Sequence, residues 1–399
     1  MSSNKNRIVD FFGLNRSIGA MLVMVILIGL GEKMAERFLP LYIIAIGGST
    51  VAVGFLNAMD NLLSALYSFP GGYITDKFGY KKALMIFTVI ALFGYTIVIL
   101  IPSWQAVLIG SVFFIAWTAI SLPAIMSMVS KSMKKDKRTM GVSVHSLVRR
   151  IPMALGPVLG GIIIGLYGKV LGVRIAFGAA FVLGIAALLF EYYFMEDDVP
   201  SKEPKALKLS NAMEYFSPAL RNLLVSDILI RFAEQIPYAF VVIWVVENNG
   251  LSPFRFGILT TVEMITAMLV YIPVAYMADK YGKKRFVLIT FGFFTLFPLV
   301  VFYSRSFWAF VIAFIIRGLK EFGEPTRKAL IMDLAPEDAK ARTFGTYYLI
   351  RDIVVSAAAL SSAYLWNISP QVNFMTAFAF GLIGMIWFAV YGRDVQIEK

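Results

Sequence analysis

One short charged turn occurs twice in this chain. Gly72-Tyr73-Ile74-Thr75-Asp76-Lys77-Phe78-Gly79-Tyr80-Lys81-Lys82 joins two long apolar runs, and a shift of 203 residues brings Ala275-Tyr276-Met277-Ala278-Asp279-Lys280-Tyr281-Gly282-Lys283-Lys284-Arg285 onto it. A turn of this length between membrane-length runs must join two antiparallel helices. An aspartate and several lysines at such a junction are expensive near lipid, so they are expected to hold a tight contact on one membrane face. The duplication constrains the fold further: the chain should contain two copies of one helical unit.

The apolar runs define the rest. Of 399 residues, 59% are hydrophobic and only 16% charged, too few charges for a soluble domain of this size. Runs of about 20 apolar residues read as transmembrane helices. Twelve are predicted, at 17–46, 51–75, 83–101, 105–129, 140–166, 173–194, 219–247, 253–277, 286–304, 307–331, 343–367 and 371–392. They are continuous rather than alternating, which excludes a barrel. The fold class is therefore an all-α membrane protein of twelve transmembrane helices in two six-helix bundles related by a pseudo-two-fold. The first run lacks an A-x-A site after it and reads as a retained span. With no cysteine, disulfides and thiolate metal sites are excluded.

A net charge of +12 could point to nucleic acid, but its distribution points to a bilayer. Most Lys and Arg fall in the N-terminus, the even-to-odd connections, the middle linker and the C-terminus. Lys169, Arg174, Arg255 and Arg305 stand on the other side. By the positive-inside rule both termini are cytoplasmic, with basic patches facing anionic headgroups. A multi-pass protein of the cell (inner or plasma) membrane is expected. The polar stretch 195–218, with Met195-Glu196-Asp197-Asp198-Val199-Pro200, is the one long hydrophilic break. It divides an N-terminal bundle, 1–194, from a C-terminal bundle, 219–399.

The halves repeat beyond the turn. At the same shift Ser49, Gly54, Leu56, Asp60 and Pro70 meet Ser252, Gly257, Leu259, Glu263 and Pro273. At a shift of 204, Arg138-Thr139 and Gly141 meet Arg342-Thr343 and Gly345. Ala35-Glu36 and Ala233-Glu234 are each followed by a proline, Pro40 and Pro237. Parallel six-helix repeats place a binding site at their interface near the midplane.

The pattern G-x-x-x-D-[RK]-x-G-x-[RK], with the 6+6 repeat and central linker, resembles the major facilitator superfamily over nearly the whole chain. The resemblance implies a cytoplasmic latch built from Gly72, Asp76, Lys77, Gly79, Lys81, Asp279, Lys280, Gly282, Lys283 and Lys284. In the family the aspartate matching Asp76 contacts the start of helix 11 and helps hold the outward-facing state. Tyr80 and Ala275 depart from the family pattern. Gly156-Pro157-Val158-Leu159-Gly160-Gly161 in the fifth span brings small residues to a helix contact, with a proline bend. As G-P-x-x-G-G it is similar to the motif of drug/proton antiporters, which implies efflux. Those antiporters carry an arginine in mid-span four, where this chain reads Phe113-Phe114-Ile115-Ala116-Trp117-Thr118-Ala119. Glu36-Arg37-Phe38 also resembles the E-x-x-E-R-F motif of proton-coupled peptide transporters, but Lys33 holds the place of the first glutamate and Glu32 stands one residue earlier.

Ionisable residues inside spans cost a few kcal/mol each, so each is a functional candidate. The candidates for a proton and substrate cavity are Glu32, Glu36, Arg37, Asp60, Arg149, Arg150, Asp227, Arg231, Glu234, Glu263, Arg317, Glu324 and Arg351. Each could equally be half of a structural ion pair, the better reading for Lys33, Arg37, Lys320, Glu321 and Asp352, which have an opposite charge within a turn. The repeat-related acids suit proton handling; the arginines could bridge those acids or hold an anionic group. His145 is the sole histidine, a hydrogen-bonded interfacial residue or a proton relay. Trp117 and Trp244 lie deep enough to line a pocket or to pack.

The expected function is secondary active transport by alternating access, as proton-coupled efflux of a small amphiphilic solute. The alternatives are a symporter or uniporter for an anionic nutrient (an organic anion or a peptide-like solute) and a non-transporting receptor or scaffold. The expected partners are a small-molecule substrate, protons and the lipid bilayer, with no nucleic acid, and the chain is expected to be a monomer. No enzyme is expected, since the chain has no H-E-x-x-H, no cysteine and one histidine. Neither cofactor nor metal is expected, and no G-x-x-x-x-G-K-[ST] loop is present to cradle a phosphate.

Overall fold

The computed structural model describes residues 16–115, 117–132, 145, 148–197, 216–336 and 340–393. Among these, every regular element is helical. They divide between two compact units, one within Met1–Gly47 and Leu66–Leu207, the other within Gly48–Ala65 and Lys208–Lys399.

The first unit contains α1 (Arg16–Glu36), α2 (Leu39–Ala45), the later part of α3 (Thr50–Phe78), α4 (Tyr80–Leu100), α5 (Trp104–Phe114), α6 (Trp117–Ser132) and α7 (Arg150–Phe194). The second contains the first turns of α3, α8 (Pro218–Tyr238), a bend through Val241–Ile243 into a π-helix at Trp244–Asn248, α9 (Pro253–Tyr281), α10 (Lys283–Tyr303), α11 (Phe307–Leu319), a 3-10 turn at Lys320–Gly323, α12 (Glu324–Leu334), α13 (Lys340–Ile368) and α14 (Pro370–Tyr391).

Among the described residues eight spans are long and apolar enough to cross a membrane, α5 and most of α6 counting together as one, or nine if Pro218–Tyr238 and Val241–Asn248, bent by 41°, form one span. The sequence has twelve such runs, and the difference has physical causes. Spans five and six sit in one segment, α7, broken where Gly168 takes φ 79°. Asn57, Asp60 and Asn61 lower the hydropathy of α3. The tenth run is interrupted by its 3-10 turn and carries Arg317, Lys320, Glu321 and Glu324.

The repeat is visible in local geometry. Ser103 and Ser306, equivalent at the 203-residue shift, cap α5 and α11 by accepting the amides of Ala106 (3.2 Å) and Ala309 (3.3 Å). Gly79 and Gly282 have φ 82° and 90°, a region that costs an L-residue about 1–2 kcal/mol, which is why both copies of the turn keep glycine there. One residue pair further, Lys81 and Lys284 tie the start of α4 or α10 to the last helix of its own unit. Lys81 lies 3.4 Å from Asp197 and over the Tyr192 ring; Lys284 donates to the Ala389 carbonyl at 3.0 Å.

Packing follows the same plan. In the first unit α1 packs most extensively on α7, and α4 packs on α5 and α7; in the second, α8 packs on α14 and α13, and α10 on α14. The α1–α7 contact depends on the glycines predicted to serve packing. Gly156, Pro157, Gly160 and Gly161 are all buried. A Cβ on Gly156 would meet Lys33 Cβ at 2.7 Å, and one on Gly160 would overlap the Met34 carbonyl oxygen. Gly160→Leu should therefore push the two backbones apart and cost about 3 kcal/mol or more, as overpacking does when backbone cannot yield. A thermal melt of the purified variant in detergent checks this; an unchanged midpoint would show that the helices slide past each other freely.

Candidate functional site

In the first unit α1, α6 and α7 line a small recess of about 20 Å³, room for about one water, with Glu32, Lys33, Trp117, His145, Arg149 and Pro152 in its wall. Thr118 and Ser121 add hydroxyls from α6. Glu32 is only 3% exposed and accepts from Lys33 Nζ at 2.9 Å. The same ammonium reaches Glu36 Oε2, so two acids one turn apart on α1 share one lysine. Arg37, just past the end of α1, and Arg150 at the start of α7 are half-buried, and His145 is buried against the recess.

The second unit holds a continuous buried charge network. Asp227, fully buried on α8, pairs with Arg327 of α12, accepts from the Tyr347 hydroxyl at 3.0 Å, and lies 3.6 Å from Arg351 and 4.0 Å from Arg231. Arg231 donates to Glu234 at 2.6 Å and lies 3.3 Å from Glu324, which also accepts from Arg327 at 2.7 Å. Lys320 bonds Glu234 at 2.5 Å and approaches Glu263 at 3.8 Å; Arg317 lies 3.2 Å from Glu263. Arg351 is also bonded to Asp352 at 2.6 Å. Within this network Asp227, Glu234, Glu263 and Glu324 each face at least two cations. Pairing this dense is needed to offset the desolvation of so many charges. Outside it, Asp60 on α3 lies 3.5 Å from the Ser64 hydroxyl.

Thus Asp227, Arg231, Glu234, Glu263, Arg317, Glu324 and Arg351 come together, as do Glu32, Glu36 and Arg149. Lys33, Lys320 and Asp352 stand in ion pairs, the structural role the sequence favoured for them. The turn residues lie apart from both groups. Asp76 and Lys77 are exposed, Lys77 over the Phe78 ring at 5.3 Å. Lys283 pairs with Asp333 of α12. The side chains of Asp279 and Lys280, and Arg138, Thr139 and Gly141, lie outside the described residues.

Sequence reasoning missed the centre of the network. Arg327 is 0% exposed, yet the polar run around it reads like the end of a span. The available signal was its spacing: Arg317, Lys320, Glu324 and Arg327 recur at three- and four-residue steps, one continuous helical stripe. Tyr347, equally buried, carried no signal at all among eighteen tyrosines. Trp244 proves to be packing, its indole donating to the Val301 carbonyl at 3.1 Å between aromatic rings.

Two helical units with membrane-length helices and buried ion pairs define a polytopic helical membrane protein. The profile of the Major Facilitator Superfamily matches residues 21–232 and 223–397. An uncharacterized MFS-type transporter of Methanocaldococcus jannaschii is 23% identical over 363 residues, 87% of each chain. A multi-drug resistance efflux pump PmrA homolog of Lactococcus lactis is 23% identical over 377 residues, 90% of this chain and 91% of the relative. Among solved structures, a variant of peptide transporter POT in complex with sulfate superposes with a TM-score of 0.76 over 96% of this chain and 94% of that one. At 16% identity that likeness bears on fold alone. The chain belongs to the Major Facilitator Superfamily and is a multi-pass secondary transporter of that family.

Proposed function

We propose that this protein exports a small amphiphilic solute in exchange for protons and that Glu32, at the wall of the recess in the first unit, is the acid that exchanges the proton. The observation that carries this reading is the sharing of one ammonium, Lys33, by Glu32 and Glu36 at the wall of a recess. Protonating Glu32 disturbs one shared ion pair, whereas protonating Glu234 breaks contacts with both Lys320 and Arg231. A buried acid beside a small recess is where protonation can be coupled to solute movement. Outward direction is supported by the G-P-x-x-G-G stretch and by likeness to a relative named as an efflux pump. The arginines of the second unit argue against an anionic nutrient, because Arg231, Arg317 and Arg351 already face acids.

On this reading the membrane is the cell membrane with both termini cytoplasmic, the protein works as a monomer, and the repeated turn acts as the cytoplasmic latch through Asp76. The test is solute movement in proteoliposomes under an imposed proton gradient, with a fluorescent amphiphilic cation as probe and lumenal pH recorded together. Antiport gives probe movement against proton movement; parallel movement, or movement indifferent to the gradient, overturns it. In the same vesicles Asp76→Asn should slow turnover while leaving probe binding intact.

A further inference from the structure

A second recess adjoins the first. It measures about 250 Å³ and is lined by Tyr67 of α3, Phe87 and Ile90 of α4, Val112 and Phe113 at the end of α5, and Trp117 of α6. Among the described residues no charged side chain lines it. Trp117 stands in the wall of both recesses, so one indole separates a charged chamber from an apolar one.

Two details bear on what this space takes. The Tyr67 hydroxyl donates to the Val112 carbonyl at 3.0 Å, in the last turn of α5. Tyr67 therefore spends its polar atom on the wall. Trp117 does the opposite. It is only 4% exposed, and among the described residues its indole Nε1–H has no acceptor. A buried donor without an acceptor costs about 1–3 kcal/mol.

We infer that the Tyr67–Phe87–Phe113–Trp117 recess is a ligand subsite, taking the apolar body of an amphiphile whose hydrogen-bond acceptor meets the Trp117 indole and whose polar head lies on the charged side of that indole. The inference rests on the export reading only in taking the transported solute as this ligand; the subsite itself stands on the geometry of the first unit. It commits the substrate class to molecules with an aromatic or alkyl body, one carbonyl or ether acceptor and a polar head within one indole's width of it. A fully polar solute would leave the aromatic recess empty.

The test uses the full-length transporter in lipid nanodiscs and photoreactive alkyl-diazirine probes. Each bears a trimethylammonium or carboxylate head joined to the body through either an ester or a plain methylene link. The inference expects saturable labelling on Tyr67 and on the Val112–Ile120 stretch, competed by the same compound without the diazirine. Ile90→Phe, which fills the recess, should reduce labelling, and Phe113→Ala, which enlarges it, should shift labelling to longer chains. Melting curves report whether each variant is folded. Trp117→Phe keeps an aromatic wall and removes the donor, so it should weaken the ester probes about fivefold and leave the methylene probes unchanged. Labelling that no competitor reduces, labelling confined to other segments, or equal weakening of both links by Trp117→Phe would overturn the subsite. Gradient-driven movement of the ester probe is measured on the same preparation. Competed labelling without transport removes the export reading and leaves the subsite; transport without labelling does the reverse.

Discussion

Glu32→Gln should abolish the response of transport to a proton gradient. Gradient-driven movement of the probe in proteoliposomes is expected to fall about tenfold or more, within the usual range of coupling between two linked ligands. Probe exchange at zero gradient should survive, because amide and carboxyl have nearly the same shape. Glu32 is buried and holds only part of the Lys33 ammonium, the rest going to Glu36. Removing its charge leaves Lys33 paired with Glu36, so the fold should be spared and the loss should lie in coupling. Glu234→Gln is the control. Glu234 is bonded to both Lys320 and Arg231, and its loss leaves two buried cations short of an acid. That variant should melt earlier while its transport keeps responding to pH. If Glu32→Gln retains full gradient dependence and Glu234→Gln loses it, the proton site lies in the second unit and the proposal is wrong about where the coupling resides.

The second large effect is on stability. Arg327→Met should cost about 3–5 kcal/mol, the usual cost of removing one partner of a buried ion pair. Arg327 touches Asp227 and Glu324, and Asp227 is wholly enclosed. Deleting the arginine leaves Asp227 with the Tyr347 hydroxyl and the more distant guanidiniums of Arg351 and Arg231. The double variant Asp227→Leu with Arg327→Met removes both charges and should recover much of the loss, since an apolar pair of similar volume often replaces a buried ion pair without penalty. Thermal melts of the two single variants and the double close the cycle. Additive losses would mean that the two residues do not depend on each other, and the network would then be a set of separate contacts.

These expectations concern residues of unequal legibility. Glu32 and Glu36 were readable because a charge on the first apolar run has no ordinary reason to be there. Arg327 was hidden because it sits where the tenth run becomes polar, a place where an arginine usually faces water. Trp117 was visible as a deep tryptophan, but nothing in its neighbours in sequence says that its N–H lacks an acceptor.

What the sequence determined by itself is the set of properties that short stretches carry alone. Apolar run length specifies helices that cross a bilayer, and the repeated turn specifies two related units. Gly79 and Gly282 mark backbone with positive φ, and Gly156 and Gly160 mark a close helix contact. What only the tertiary structure decided is which charges meet. Asp227 and Arg327 lie 100 residues apart in the chain, and Glu263 reaches Arg317 and Lys320 across separate helices. Hydropathy records how far a segment runs through lipid, whereas ion pairing depends on how each helix is rotated about its own axis. That rotation is fixed by packing along the whole bundle, so an acid that lines a recess and one locked between two cations look the same until the helices are in place.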